Sequence, residues 1–291
     1  MCVLSRVAKN RLDYIAPLSQ GGLTLRSADT FSEGDLCLLV DRRGRKYLLE
    51  LVQGAVFGTH TGIVRHEDLI GSAVGTWLTT AGGSSFLAIR PRPLDYVLKM
   101  RRLAQVVYPK DFGAILWRLG IRPGFRVLEV GLGSGSLSIA LLLAVGDKGR
   151  VVSLDIRKDH AQRAIHNVSR FFDGACEPHS VVVGDAGSCL RGSAKFDAAV
   201  VDVPEPWAVL EPVTSLLRPG CFVACFSPSA LQVRETADAL ESLGYAMIDV
   251  VEVLERSWYV RGKAVRPDHR MVAHTGFLTV GCKARPAFMA R

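Results

Sequence analysis

The sequence predicts an α/β protein in two parts. A small all-β N-terminal domain is followed by a doubly wound domain on a mostly parallel seven-stranded sheet whose last strand runs antiparallel. Three observations carry this prediction. From residue 126 onward, apolar runs of strand length alternate with longer helical stretches; residues 35–89 break into short apolar runs at even spacing; and a glycine-rich turn joins the first strand of the second part to its first helix.

The chain has 291 residues, 48% hydrophobic and 22% charged, which suffices for two buried cores and is too apolar for a disordered chain. A net charge of +8 favours an anionic partner, either nucleic acid or an acidic membrane surface. The longest strongly apolar run, 137–145, is far below the roughly 18 residues of a spanning helix, and residues 1–10 lack a secretory-signal pattern. The expectation is a cytoplasmic protein with no membrane attachment. Seven cysteines without a C-x-x-C pair argue against a disulfide framework and against a zinc site, so no metal is expected. Cys221 and Cys225, four apart on a strand, face the same way and pack in the core.

Taken in chain order, residues 1–30 mix small and polar residues and read as an arm. Residues 31–92 form a β-barrel-like domain, with apolar runs at 36–40, 47–52, 63–64 and 86–89 separated by 41–44, Gly54, Gly71 and Gly75. After Arg90-Pro91-Arg92-Pro93 comes a linker with helices, 93–125, one of them carrying Lys99, Arg101 and Arg102. The α/β domain, 126–285, has strands at 127–130, 151–155, 180–183, 196–201, 221–226, 246–254 and 276–281, with helices at 134–145, 158–172, 207–217 and 230–243. No clear helix separates the last two strands, which is why the last is read as antiparallel. Residues 286–291 are a tail.

The first strand runs into Gly131-Leu132-Gly133-Ser134-Gly135, a turn whose glycines let backbone approach a ligand and whose following helix offers unpaired N–H groups. It reads as a cofactor cradle, with a bare strand-to-helix turn as the alternative. A dinucleotide fingerprint needs glycine where Ser136 stands, which weakens an NAD reading. Asp155, Asp185 and Asp202 end the next three strands, aimed at the crevice where open α/β sheets bind ligands. Asp155 suits ribose hydroxyls and Asp185 an adenine amino group; each of the three would otherwise be a helix cap or a solvated charge.

The G-x-G-x-G turn resembles the first motif of S-adenosyl-L-methionine-dependent methyltransferases. Beyond it, residues 105–111 (Gln-Val-Val-Tyr-Pro-Lys-Asp), 202–207 (Asp-Val-Pro-Glu-Pro-Trp) and 266–278 (Arg-Pro-Asp-His-Arg-Met-Val-Ala-His-Thr-Gly-Phe-Leu) resemble the tRNA (adenine-58-N1)-methyltransferases of bacteria and archaea, a likeness running from about Gly34 to Cys282. The resemblance implies a Rossmann-like class I methyltransferase domain, S-adenosyl-L-methionine as cofactor, and a homotetramer methylating N1 of an adenine in the T-loop of tRNA, with the β-domain assisting RNA binding. It places Gly131, Gly133, Ser134, Gly135, Ser136 and Leu137 at the methionine end of the cofactor, Asp155 at the ribose, Gly184 and Asp185 at the adenine, and His160 nearby. Asp202 falls between donor and target base, and Tyr108 lines the base pocket. Read without the resemblance, His160 is an exposed helix-face histidine and Tyr108 a core tyrosine.

Two basic sets are candidates for phosphate contact: Arg90, Arg92, Lys99, Arg101, Arg102 and Lys110, then Arg256, Arg261, Lys263, Arg266 and Arg270. A solvated basic face is the alternative for each. His274 is expected to shape the pocket rather than transfer protons. The rival functions are a non-catalytic RNA-binding subunit, disfavoured by the intact turn, Asp155 and Asp202, and a protein methyltransferase of the isoaspartate type, disfavoured by the β-domain and the basic balance.

Overall fold

The computed structural model describes residues 14–15, 29–59, 62–103, 105–174 and 176–285. The expected arm, 1–30, lies outside the described residues except at 14–15 and 29–30, and the tail, 286–291, lies wholly outside them. The chain divides into two compact units, Thr24–Arg101 and the remainder. Strand β1 (Tyr14–Ile15) belongs to the larger one.

The smaller unit contains β2 (Leu36–Asp41), β3 (Lys46–Glu50), β4 (Val56–Thr59), β5 (Gly62–Arg65), β6 (Trp77–Thr79), β7 (Ser85–Ile89) and helix α1 (Pro93–Lys99). Four of the strands form an antiparallel sheet in the order β3-β2-β7-β6, and β4 and β5 pair as a hairpin. Alternate residues of β2, Cys37 and Leu39, turn into a core with Phe31, Leu51, Val64, Phe86 and Ala88. The apolar runs announce β2, β3, β5 and β7, but neither β4 nor β6. Those two are short and expose Val56 and Trp77, so no buried run marks them. Helix α1 opens on Pro93, whose missing N–H costs nothing at that position, and carries the buried Asp95. Arg92 and Lys46 bond Asp95 at 2.7 and 2.6 Å, and hold its carboxyl down at about 2, the Arg92 hydrogen bond first among the causes.

The larger unit continues with α2 (Pro109–Arg118), β8 (Arg126–Val130), α3 (Ser136–Val145), β9 (Arg150–Asp155), α4 (Lys158–Phe171), β10 (His179–Val183), α5 (Ala186–Cys189), β11 (Phe196–Val201), α6 (Pro206–Leu216), β12 (Leu217–Ser227), α7 (Ala230–Ser242), β13 (Tyr245–Glu252), β14 (Trp258–Arg261), β15 (Ala264–Pro267) and β16 (Phe277–Lys283). Its sheet runs β1-β10-β9-β8-β11-β12-β16-β13. Strands β8 to β12 are parallel, and β16 lies antiparallel between β12 and β13, as the missing helix after β13 predicts. All seven expected strands are present. The arm reading missed an eighth: β1 adds antiparallel to β10, pairing Tyr14 with Val182 and Ile15 with Val181. Two residues are too few to carry a period in the sequence.

Helix α3 is apolar all round and buried, whereas α4 turns Ala161, Ala164, Val168 and Phe171 inward at helical spacing. It is α3 that starts two residues later than expected, because Ser134 and Gly135 remain in the turn. The short α5 and the β14–β15 hairpin were not expected. Cys221 and Cys225 share a core face with Val223, Cys225 fully buried. The sheet order reverses between β8 and β11, so the carboxyl ends of β8, β9, β10 and β11 open on one crevice.

Candidate active site

The three glycines of the 131–135 turn serve different purposes. Gly131 donates its N–H to Leu154 at 2.8 Å and has φ +96°; a Cβ there would overlap the Asp202 carbonyl. It is glycine so that the end of β11 can pass. Gly135, φ +81°, would put a Cβ 3.1 Å from the Ala164 carbonyl, so it lets α4 close on the turn. Gly133, φ +54°, has nothing within 4 Å of the place its Cβ would take. It alone faces open space, as a position against which a ligand lies must.

Three carboxylates surround this turn. Asp155, at the end of β9, is buried and accepts the Gly133 N–H at 3.0 Å and the Arg157 N–H at 2.9 Å. Asp202, at the end of β11, is half-buried; its backbone N–H reaches Val130 at 2.8 Å. Burial first, and then the neighbouring Asp155, push its carboxyl up to about 7. Glu129, on β8, is fully buried, and its acid is likewise raised to about 7, mainly by burial, with Ser153 and Ser138 working against it. Oε2 of Glu129 accepts from Ser138 at 2.7 Å and Ser153 at 2.5 Å. Ser153 has one hydroxyl hydrogen; giving it to Glu129 leaves its oxygen to accept from Nε2 of His179, 2.9 Å away. Burial pulls His179 down to about 4, so the imidazole is neutral and the donor chain points one way, toward Glu129. Oε1 of Glu129 is left buried with no hydrogen-bond partner.

A buried acid oxygen with nothing to accept, beside two further carboxylates, is the electrostatic complement of a cation. S-adenosyl-L-methionine carries a sulfonium and an ammonium group, so the donor set fits it. No group of three His, Cys, Asp or Glu side chains among the described residues is placed to hold a metal ion. Sequence reasoning missed Glu129, although it stands two residues before Gly131; an acidic residue inside an otherwise apolar buried strand was the available signal.

The two most family-specific segments meet in space. Tyr108, half-buried, is the residue before α2, and its carbonyl accepts the Asp111 N–H at 2.8 Å. The side chain of Lys110 is only 5% exposed, and it bonds Asp111 at 2.8 Å and the Val253 carbonyl at 2.6 Å. Thr275 donates to the other Asp111 oxygen at 2.7 Å. Lys110 is therefore a clamp, and its place among the phosphate candidates is corrected: burial and pairing leave it nothing to offer RNA. Arg90 and Arg92 are also ion-paired, to Asp35 and Asp95. His274 has Nδ1 2.7 Å from Glu252 and Nε2 2.9 Å from the Pro228 carbonyl. Both partners are acceptors, which demands a proton on each nitrogen and raises the histidine above its ordinary value. It ties the ends of β12 and β13 together.

Other candidates divide. His160 is buried, not exposed on its helix face, and its Nδ1 has no partner. Ser134 is committed to the protein: its hydroxyl accepts the Leu103 N–H at 3.2 Å and its carbonyl the Asn167 amide at 2.9 Å. Ser136 and Leu137 open α3 and are buried. Gly184 donates to the Asp155 carbonyl at 3.0 Å, joining the β9 and β10 ends. Asp185 is exposed and caps α5, its Oδ1 accepting the Ser188 N–H at 3.0 Å, so the capping alternative describes one of its oxygens.

A family model described as "tRNA methyltransferase complex GCD14 subunit" matches residues 86–270, and one described as "TrmI-like N-terminal" matches 30–77. The tRNA (adenine(58)-N(1))-methyltransferase TrmI of Thermus thermophilus is 38% identical over 241 residues, 83% of this chain and 94% of the relative. The tRNA (adenine(57)-N(1)/adenine(58)-N(1))-methyltransferase TrmI of Methanocaldococcus jannaschii is 33% identical over 84% of this chain and 93% of its own. Among solved structures, the tRNA (m1A58) methyltransferase TrmI of Aquifex aeolicus superposes with a TM-score of 0.78 at 28% identity, covering 88% of this chain and all of that one. A SAM-dependent O-methyltransferase of Thermotoga maritima gives 0.85 at 30% identity, over 90% and 98%. By fold, by motif and by a match over most of its length, the chain belongs to the tRNA (adenine-58-N1)-methyltransferase family.

Proposed function

We propose that this chain transfers the methyl group of S-adenosyl-L-methionine to N1 of adenine 58 in the T-loop of tRNA. The observation that carries the reading is the cluster of Glu129, Asp155 and Asp202, near enough to raise one another's acids, with the Gly133 N–H on Asp155 and one Glu129 oxygen unpartnered. When bound, the cofactor supplies an electrophilic methyl group on a sulfonium. The protein's part is to position and to balance charge. Glu129 Oε1 accepts from a cationic amino group, Asp155 takes the ribose edge, and Leu137, Gly131, Ser136 and the Gly184–Asp185 corner complete the walls, with His160 behind them. N1 of adenine already holds a lone pair, so orientation matters more than a strong base. Asp202 accepts a hydrogen bond from the exocyclic amine and stabilises the ring as it turns cationic, or takes its proton at a carboxylate oxygen; a value near 7 suits that exchange at neutral pH. Tyr108 stacks the extruded base.

The same reading makes the enzyme a homotetramer in the cytoplasm. In support, β13 is a sheet edge that exposes Met247, Val250 and, just beyond it, Leu254, an apolar edge of the kind that a second copy covers. Cys37, Cys176, Cys189 and Cys225 are buried free thiols, in keeping with a reducing compartment, and no helix among the described residues is long and apolar enough to cross a membrane. The deciding experiment is mass-spectrometric mapping of unmodified tRNA incubated with the protein and labelled cofactor. Label at N1 of adenine 58 is expected; label only in an added protein substrate would overturn the reading.

A further inference from the structure

We propose that the β14–β15 hairpin is an RNA-docking element whose Arg261 and Arg266, ordered over the Tyr259 ring, bind phosphates beside the site; this rests on the tRNA reading above. The hairpin joins β13 to β16 and so stands at the carboxyl edge of the sheet, the edge that holds Gly133, Asp155 and Asp202. Its two stems are pinned there. Lys110 holds the Val253 carbonyl on the way in, Asp111 holds Thr275 on the way out, and His274 fastens the second stem to Glu252 and Pro228. The residues that anchor it, Lys110 and Asp111, are those that follow Tyr108.

Its register sorts the side chains by face. Val260 pairs with Val265 and Trp258 with Pro267 on one face; Tyr259 pairs with Arg266 and Arg261 with Ala264 on the other. The guanidinium of Arg266 lies 4.7 Å from the centre of the Tyr259 ring and that of Arg261 5.8 Å from it. Such stacking pre-organises two planar forks without neutralising either. Among the described residues neither arginine is ion-paired, whereas Arg90, Arg92 and Lys110 all are. From 255 to 270 there are five cations against two acids, and the hairpin itself, 258–267, carries Arg261, Lys263 and Arg266 with no acid. Arg266 also donates to the Pro267 carbonyl at 3.3 Å, and fixed guanidinium groups with no acidic partner on an exposed ribbon at the rim suit a polyanion better than a protein surface.

The test uses the full chain with Arg261→Ala and Arg266→Ala combined, measuring tRNA affinity against salt, cofactor affinity by calorimetry, and mass by light scattering. Expected is a loss of tRNA affinity of about tenfold or more at moderate salt, with the log–log salt slope reduced by about 2, one for each phosphate contact. Cofactor affinity and mass should hold. The paired Arg→Lys variant keeps the charge and should recover most of the slope. Unchanged tRNA affinity and slope in the alanine variant would overturn the proposal while the tRNA reading stood. A changed mass with tRNA affinity per protomer intact would also overturn it, making the hairpin a subunit contact. A wild-type chain that neither binds nor methylates tRNA would sink the functional reading, and this inference with it.

Discussion

Asp202 and Glu129 are both acids held near 7 in the folded protein, and each has consequences at its own atoms. Replacing Asp202 by Ala should leave cofactor affinity within a few-fold and remove most turnover, because the lost group acts on the base; single-turnover kinetics beside calorimetry separates the two. With turnover limited by the ionised form, the wild-type rate should climb as pH rises through about 7. Stability runs the other way. The unfolded chain ionises these two acids near their ordinary values, while the folded one keeps them protonated until about 7. Their contribution to stability is therefore full below about pH 4 and declines as pH rises from there to about 7. A bound cation beside Glu129 relieves its share of that cost, so the rise in melting temperature on adding S-adenosylmethionine should be larger at pH 8 than at pH 5. Equal shifts would detach Glu129 from cofactor binding.

Between elements, the glycine turn separates folding from binding. Gly131→Ala forces a Cβ into the Asp202 backbone at a positive φ, which should cost roughly 2–5 kcal/mol in denaturant unfolding. Gly133→Ala meets no atom, so it should cost only about 1–2 kcal/mol of backbone strain while cofactor affinity falls steeply, the methyl now standing in the open space. The clamp between α2 and the β16 approach behaves as a unit. Lys110→Met leaves the buried Asp111 without its cation, an expected loss of about 3–5 kcal/mol, and in whatever remains folded the KM for tRNA should rise with cofactor affinity kept, since Tyr108 is what shifts. The sequence placed these segments 164 residues apart, and nothing in either one says that Asp111 receives the Thr275 hydroxyl.

For the whole molecule, the edge strand β13 should decide assembly. Met247, 73% exposed, is expected to be covered in the proposed tetramer, so Met247→Lys should lower the mass seen by light scattering without changing the far-ultraviolet circular dichroism. An unchanged mass would move the subunit contact elsewhere. The α/β order, the antiparallel last strand, the glycine turn and the strand-end acids Asp155 and Asp202 could be read directly from the chain. Each is a local pattern, an apolar run, a helical period or a residue type at a strand end, and local patterns survive without the partner they face. What could not be read depends on residues distant in sequence. Glu129 was passed over inside a buried strand, and only the fold shows Ser138 and Ser153 holding one of its oxygens, His179 behind Ser153, and the other oxygen bare. Lys110 looked like a free cation until Asp111 and Val253 closed on it, and His160 stood open between a place near the cofactor and an exposed helix face until α4 turned it inward. Charge and residue type belong to the sequence, but whether a charge meets water, a partner or a ligand is a matter of burial, and burial exists only once the strands have chosen their neighbours.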